Sequence, residues 1–172
     1  WRMCYCGIFK AEIDGVTYYV IETPAQLRNI SALNNYILMS NIDLGGTWSI
    51  KSEYRGIFEG NGYEIKNMSY ALFASIYGAT INDLGLVNVK ANLNAGSVGA
   101  LAANVYTGHQ ERYGVAVDES GYCSNTDYTN QHSCESNSAT WTEYAVVIPQ
   151  INNVYAKNVQ ITSKGIKNSL KK

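Results

Sequence analysis

Two histidines, four cysteines and fourteen acidic residues are the raw material for chemistry in this 172-residue chain, and their spacing limits what they can do. A zinc protease places two histidines one helical turn apart with a glutamate between them, so that both imidazoles face one ion. In His109-Gln110-Glu111-Arg112-Tyr113 a tyrosine stands where the second ligand belongs, and His132 lies in a different, cysteine-bracketed stretch. Both read as loop histidines. Cys4-Tyr5-Cys6 has one intervening residue instead of two, which does not suit a zinc knuckle. Acid–base attack on a glycosidic bond needs two carboxyl groups flanking it. The nearest candidates are Glu59, Glu64 and Asp83, but Glu59 falls in the turn sequence Phe58-Glu59-Gly60-Asn61-Gly62 and Asp83 in a recurring polar motif. There is no serine-centred nucleophile elbow, and Gly60-Asn61-Gly62 signals a tight turn, not a phosphate cradle. The expectation is a chain that is not an enzyme, with no catalytic residue, metal or cofactor.

Binding chemistry is better represented. Aromatic rings stack on the apolar faces of sugars while amides and carboxylates orient hydroxyls, and residues 107–149 are rich in both types. Tyr122, Tyr128, Trp141 and Tyr144 are the ligand-contact candidates. The alternative is that these rings pack the segment onto its own scaffold, since an excursion of this length needs a core. Cys123 and Cys134 bracket a polar loop that gains most from a covalent tie, and they are expected to pair. Cys4 and Cys6 are the second candidate pair, although a bridge between strand positions i and i+2 closes a tight, strained ring. Oxidised cysteines imply an extracellular or periplasmic setting.

The elements that must position these residues read mostly as strands. Low charge (16%), fourteen tyrosines and two prolines suit β-structure better than a helical protein. A net charge of -1 leaves no footprint for a phosphate backbone, the basic cluster Lys164, Lys167, Lys171 and Lys172 at the tail notwithstanding. Nucleic acid is excluded as an expected partner. No apolar stretch approaches the ~20 residues of a membrane span. Tyr5–Ala11 and Val16–Ile21 flank an Asp14-Gly15 turn, so residues 1–22 are expected to form a hairpin that caps the sheet. Thr23-Pro24-Ala25-Gln26 is a helix start with a capping box, predicting a short helix over about 23–33. Beyond it, apolar, polar, Asn/Asp, apolar recurs at Ile65-Lys66-Asn67-Met68, Ile81-Asn82-Asp83-Leu84 and Ile151-Asn152-Asn153-Val154. The last two continue in step, Asn88-Val89 with Asn158-Val159 and Ala91 with Ile161. Stacked strands would put the apolar columns inside and set Asn67, Asp83 and Asn153 in one polar ladder at a corner. Asp43 is expected to bond turn backbone.

The runs Tyr36-Ile37-Leu38-Met39-Ser40-Asn41-Ile42-Asp43-Leu44, Gly56-Ile57-Phe58-Glu59-Gly60-Asn61-Gly62 and Ile81-Asn82-Asp83-Leu84-Gly85-Leu86 resemble the bacterial β-helix family that carries GLUG motifs. Leu72-Phe73-Ala74 and Ile76-Tyr77-Gly78-Ala79 are similar too, and Val98-Gly99-Ala100-Leu101-Ala102 stands where the family has a Val-Gly-Gly-Leu-Val-Gly run. The resemblance covers about 18–105 and 150–162. It implies an all-β fold, a right-handed parallel β-helix or solenoid over 23–172, with the short N-terminal helix and a long loop insertion at about 107–149. It also implies a place in exported adhesins, filamentous-haemagglutinin-like exoproteins or non-catalytic regions of immunoglobulin-A-cleaving metalloproteases.

Together these readings describe a non-catalytic part of a bacterial surface or secreted protein. Its partner would be an extracellular glycan or protein on another cell, bound through the inserted segment. The alternatives are a stalk or cap of a larger passenger, joined to further coils of the same polypeptide, and an accessory substrate-positioning domain of a surface protease. The start at Trp1, with no charged-then-apolar leader, is expected to reflect a removed signal or an excised piece.

Overall fold

The computed structural model describes residues 9–49, 51–93, 99–110, 116–117 and 121–163. Cys4, Cys6, Tyr113 and the lysines of the tail lie outside them, as does most of the first expected strand. Of the structure, 49% is strand and 8% helix.

The hairpin consists of β1 (Lys10–Ile13) and β2 (Val16–Ile21), antiparallel across Asp14 and Gly15, which both take positive φ. Helix α1 (Pro24–Arg28) follows, with Thr23 and Gln26 completing the reciprocal capping box. It ends at Asn29, earlier than the spacing of Leu27 and Ile30 suggested. The Asn29 N–H bonds back to the Gln26 carbonyl and the Ile30 N–H to that of Leu27, and the chain then runs irregularly to Asn35.

From here three parallel ladders are built in rotation. β3 (Tyr36–Leu38), β6 (Ile57–Glu59) and β9 (Thr80–Asn82) add in turn to β2. β4 (Ile42–Asp43), β7 (Glu64–Met68) and β10 (Gly85–Leu93) make the second, and β5 (Lys51–Tyr54), β8 (Phe73–Tyr77) and β11 (Ala102–Tyr106) the third. After the excursion, β17 (Gln150–Asn152) joins β9, while β18 (Tyr155–Lys157) and β19 (Gln160–Ser163) join successive parts of β10.

The ladders share one core. Ile65, Phe58, Phe73, Ile76, Ile81, Leu84, Leu86 and Val89 are fully buried in a single cluster. Burying each such side chain contributes about 1.5–3 kcal/mol. Tyr54 stacks on Phe73 at 4.7 Å, and its hydroxyl donates to the carbonyls of Asn34 and Ile57, so its polar end is satisfied despite complete burial. Trp48 likewise donates its indole N–H to Ala71 at 2.9 Å. Gly60 is required by packing: a Cβ there would meet the Asp83 carbonyl oxygen at 2.3 Å.

The expected right-handed parallel β-helix with a loop insertion is corrected by this topology. The strands form several small parallel and mixed sheets, and antiparallel pairing enters at the first hairpin and among the described strands of 108–147. Nor is the excursion a loop. It holds β12 (Gly108–Gln110), β13 (Ala116–Val117), β14 (Gly121–Cys123), helix α2 (Gln131–Ser136), β15 (Trp141–Glu143) and β16 (Ala145–Val147). The physical reason is backbone satisfaction: a segment this long leaves many N–H and C=O groups to pair, and local antiparallel ladders pair them.

Candidate aromatic binding site and the polar ladders

The candidate site is a two-stranded unit within the excursion. β14 and β15 pair antiparallel with Gly121 opposite Glu143, Tyr122 opposite Thr142 and Cys123 opposite Trp141. Between them, Asn125 accepts from the Asp127 N–H to make an Asx turn, and Asn130 caps α2 by accepting from Ser133. The Cys123–Cys134 disulfide, with Cα atoms 5.7 Å apart, ties the strand to the helix, and both sulfurs are buried.

This register sorts the four aromatic candidates. Alternation along a strand puts Tyr122, Thr142 and Tyr144 on one face and Cys123 and Trp141 on the other. Tyr122 and Tyr144 come together accordingly, ring centroids 5.6 Å apart and planes tilted by 33°. Trp141 lies over Gly121 instead, where an added Cβ would meet its Nε1 at 2.8 Å. Its indole N–H is buried and finds no acceptor among the described residues. Trp141 therefore packs the disulfide side of the unit. Tyr128 sits in the turn, half-buried, its backbone N–H bonded to Asn125. Of the four candidates, then, the fold brings two together as a partly exposed pair.

His109 is on β12, paired with β13 and β16, and His132 is on α2. Among the described residues no three His, Cys, Asp or Glu side chains gather. The three candidate carboxylates all have structural partners. Glu59 accepts from the Asn61 N–H and from Asn82, Asp83 from Asn153, and Glu64 from the Tyr155 hydroxyl at 2.7 Å and Lys66 at 2.8 Å. Lys66, followed by the Tyr155 hydroxyl, holds the Glu64 carboxyl below its usual range, and the same contact raises the Tyr155 phenol. Gly85 makes this contact possible: it lies between Tyr155 and Glu64 in the sheet, and its missing side chain leaves the space that the tyrosine hydroxyl crosses.

The polar ladder expected at one corner is divided between two, and a further ladder runs beside them. Asn67 donates to Asp43 at 2.8 Å, Asn88 to Asn67 and Asn158 to Asn88, both at 3.1 Å. Asn153 donates to Asp83 on a separate corner, and Asn152 to Asn82 to Glu59 on a third line. Asn67 is thus not in the column of Asp83 and Asn153. Asn67, Asp83, Asn88, Asn153 and Asn158 all take positive φ, the region that Asn and Asp tolerate best after glycine, and bend the chain at these positions. Asp43 also accepts from the Gly45 N–H, the turn bond expected of it. The Asn67 hydrogen bond, reinforced by that backbone N–H, draws the Asp43 carboxyl below its ordinary range.

No helix among the described residues is long and apolar enough to cross a membrane. No protein-family model, curated protein or solved structure matches the chain.

Proposed function

We propose that this chain is a non-catalytic recognition module of an exported bacterial surface or secreted protein, which binds a glycan or protein ligand on another cell through residues 121–144. The observation that carries the reading is the Tyr122–Tyr144 pair, two half-buried rings side by side on one face of a disulfide-tied unit. Rings held this way offer apolar area at little further entropic cost, and Thr142, opposite Tyr122 on the same face, supplies a hydroxyl for orientation. The buried disulfide supports an oxidising compartment, hence an extracellular or cell-surface location. The motif resemblance to GLUG-bearing exoproteins supports the same setting. The carboxylates best placed for acid–base work are each engaged in a turn, a ladder or an ion pair, which favours binding over catalysis.

The test is binding of the chain to a glycan array and to intact cells, beside Tyr122→Ala/Tyr144→Ala and a variant with residues 107–149 replaced by a short Gly/Ser turn. Circular dichroism verifies folding. The proposal expects binding by the parent alone. Equal binding by all three forms, or none by any, overturns it, and the second outcome favours a stalk or cap of a larger passenger.

A further inference from the structure

The stacked strands form a wall, and one groove in that wall has a chemistry that neither the core nor the tyrosine pair uses. It has a volume of about 470 Å³ and is lined by Asn67, Asn88, Lys90, Asn158, Val159 and Gln160. Small-ligand sites span about 300–1,000 Å³, so the groove is large enough to hold one. It follows the bend at Asn67, Asn88 and Asn158, where each asparagine takes positive φ. Lys90 stands beside Gln160 in the parallel register of β10 and β19.

The groove presents carboxamides at a regular interval. Asn158 donates to Asn88, Asn88 to Asn67 and Asn67 to Asp43. Each step spans one strand spacing, about 4.7–4.9 Å. A carboxamide nitrogen carries two hydrogens, and the ladder uses one of them at each residue. The other has no acceptor among the described residues at Asn67, Asn88 or Asn158. Lys90 is exposed and has neither an ion-pair nor a hydrogen-bond partner among the described residues. No carboxylate among them lines the groove, and Asp43, at the foot of the ladder, is engaged by Asn67 and the Gly45 N–H. Val159, half-buried against the core, is the one apolar side chain in the lining.

These features define what fits. The uncompensated ammonium selects an anion, and the repeated donors select a chain with a short repeating unit. Grooves that take peptides by their side chains do so through several apolar anchors, and this one offers a single valine. We propose that this wall binds an acidic oligosaccharide bearing uronic-acid carboxylates. A carboxylate accepts from Lys90 and Gln160, and hydroxyl or acetamido oxygens of neighbouring sugars accept from the asparagine row. The groove is separate from the tyrosine pair, and the inference does not depend on what that pair binds.

The probe is a hexasaccharide of alternating glucuronic acid and N-acetylglucosamine, titrated into the isotope-labelled full chain at neutral pH and read by amide shifts. Two controls run beside it: the carboxyl-reduced hexasaccharide, which keeps the linkages without the charge, and hexaglutamate, which keeps the charge without the sugar. The expected result is saturable shifts centred on amides 67–69, 88–91 and 158–161. Carboxyl reduction and Lys90→Ala are each expected to weaken binding roughly tenfold or more, because each removes a charge-assisted hydrogen bond. Lys90→Arg keeps the charge and is expected to stay within about threefold of the parent. Asn88→Gly keeps the backbone conformation while removing one donor, and is expected to weaken binding roughly fivefold. Absence of shifts, equal affinity for either control, or undiminished binding by Lys90→Ala would overturn the proposal. So would loss of binding in Tyr122→Ala/Tyr144→Ala, which would place the sugar on the tyrosine pair instead.

Discussion

Residues 36–93 and residues 108–147 are both built from short strands, yet they are held by different forces. In the first region the strands stack in parallel over a common interior, and most inward-facing side chains are buried completely. In the second, Cys123 and Cys134 are the buried hydrophobic side chains among the described residues, joined to each other, while Val146 is 61% exposed. A small unit that cannot bury enough apolar surface to offset its conformational entropy depends on a covalent staple. One region is stable through burial and register, the other through a bond.

The largest expected effect comes from attacking burial. Phe58 is fully buried and packs edge-on against both Tyr54 and Phe73. Phe58→Ala is expected to cost about 3–5 kcal/mol, read as a drop in the urea midpoint followed by circular dichroism. A loss under 1 kcal/mol would mean that the ladders do not rest on this core.

Next is register at the corners. Asn67→Ala removes the hydrogen bonds to Asp43 and Asn88 and puts a poor residue in a left-handed conformation. It is expected to cost about 1–3 kcal/mol, and Asn67→Gly, which keeps the backbone content, clearly less. Equal losses would assign the whole effect to the ladder bonds. Denaturant unfolding of the two variants checks the order.

Both corners carry the same local chemistry, and this limits what the sequence discloses. The steps Ile81-Asn82-Asp83 to Ile151-Asn152-Asn153 and Ala91 to Ile161 are the ladder register found, because the later unit repeats the earlier residue by residue. Ile65-Lys66-Asn67-Met68 matches Ile81-Asn82-Asp83-Leu84 equally well in letters, but its partner in space is Leu86-Val87-Asn88-Val89. An apolar, polar, Asn, apolar run marks any bend of this kind without saying which. The excursion has no repeat to read, so the pairing of Gly121–Cys123 with Trp141–Glu143 and the separation of Trp141 from the tyrosine pair emerge only from the register. The Asn/Thr/Ser-rich stretch gave the disulfide by its bracketing cysteines, and Asn130 as a helix cap was available from the same letters.

A smaller effect is expected in acid. Asp43 and Glu64 both titrate below their ordinary values, so the stability each contributes is present above the unfolded-state carboxylate range and is lost as pH falls through the lowered folded value. Thermal melts below pH 4 are expected to fall less steeply for Asp43→Asn, which keeps an acceptor for Asn67 without titrating. Identical slopes would remove Asp43 from the acid response.

The division of labour between the two regions is tested most directly by hydrogen exchange on the oxidised protein and on Cys123→Ser/Cys134→Ser. Closing a loop of 11 residues contributes about 3 kcal/mol. The account expects amides in 121–144 to lose protection by a factor on the order of a hundred, the equivalent of that energy, while amides in 36–93 keep theirs. Parallel loss of protection in both regions would contradict it, because the excursion and the ladders would then be one cooperative unit held by the same core.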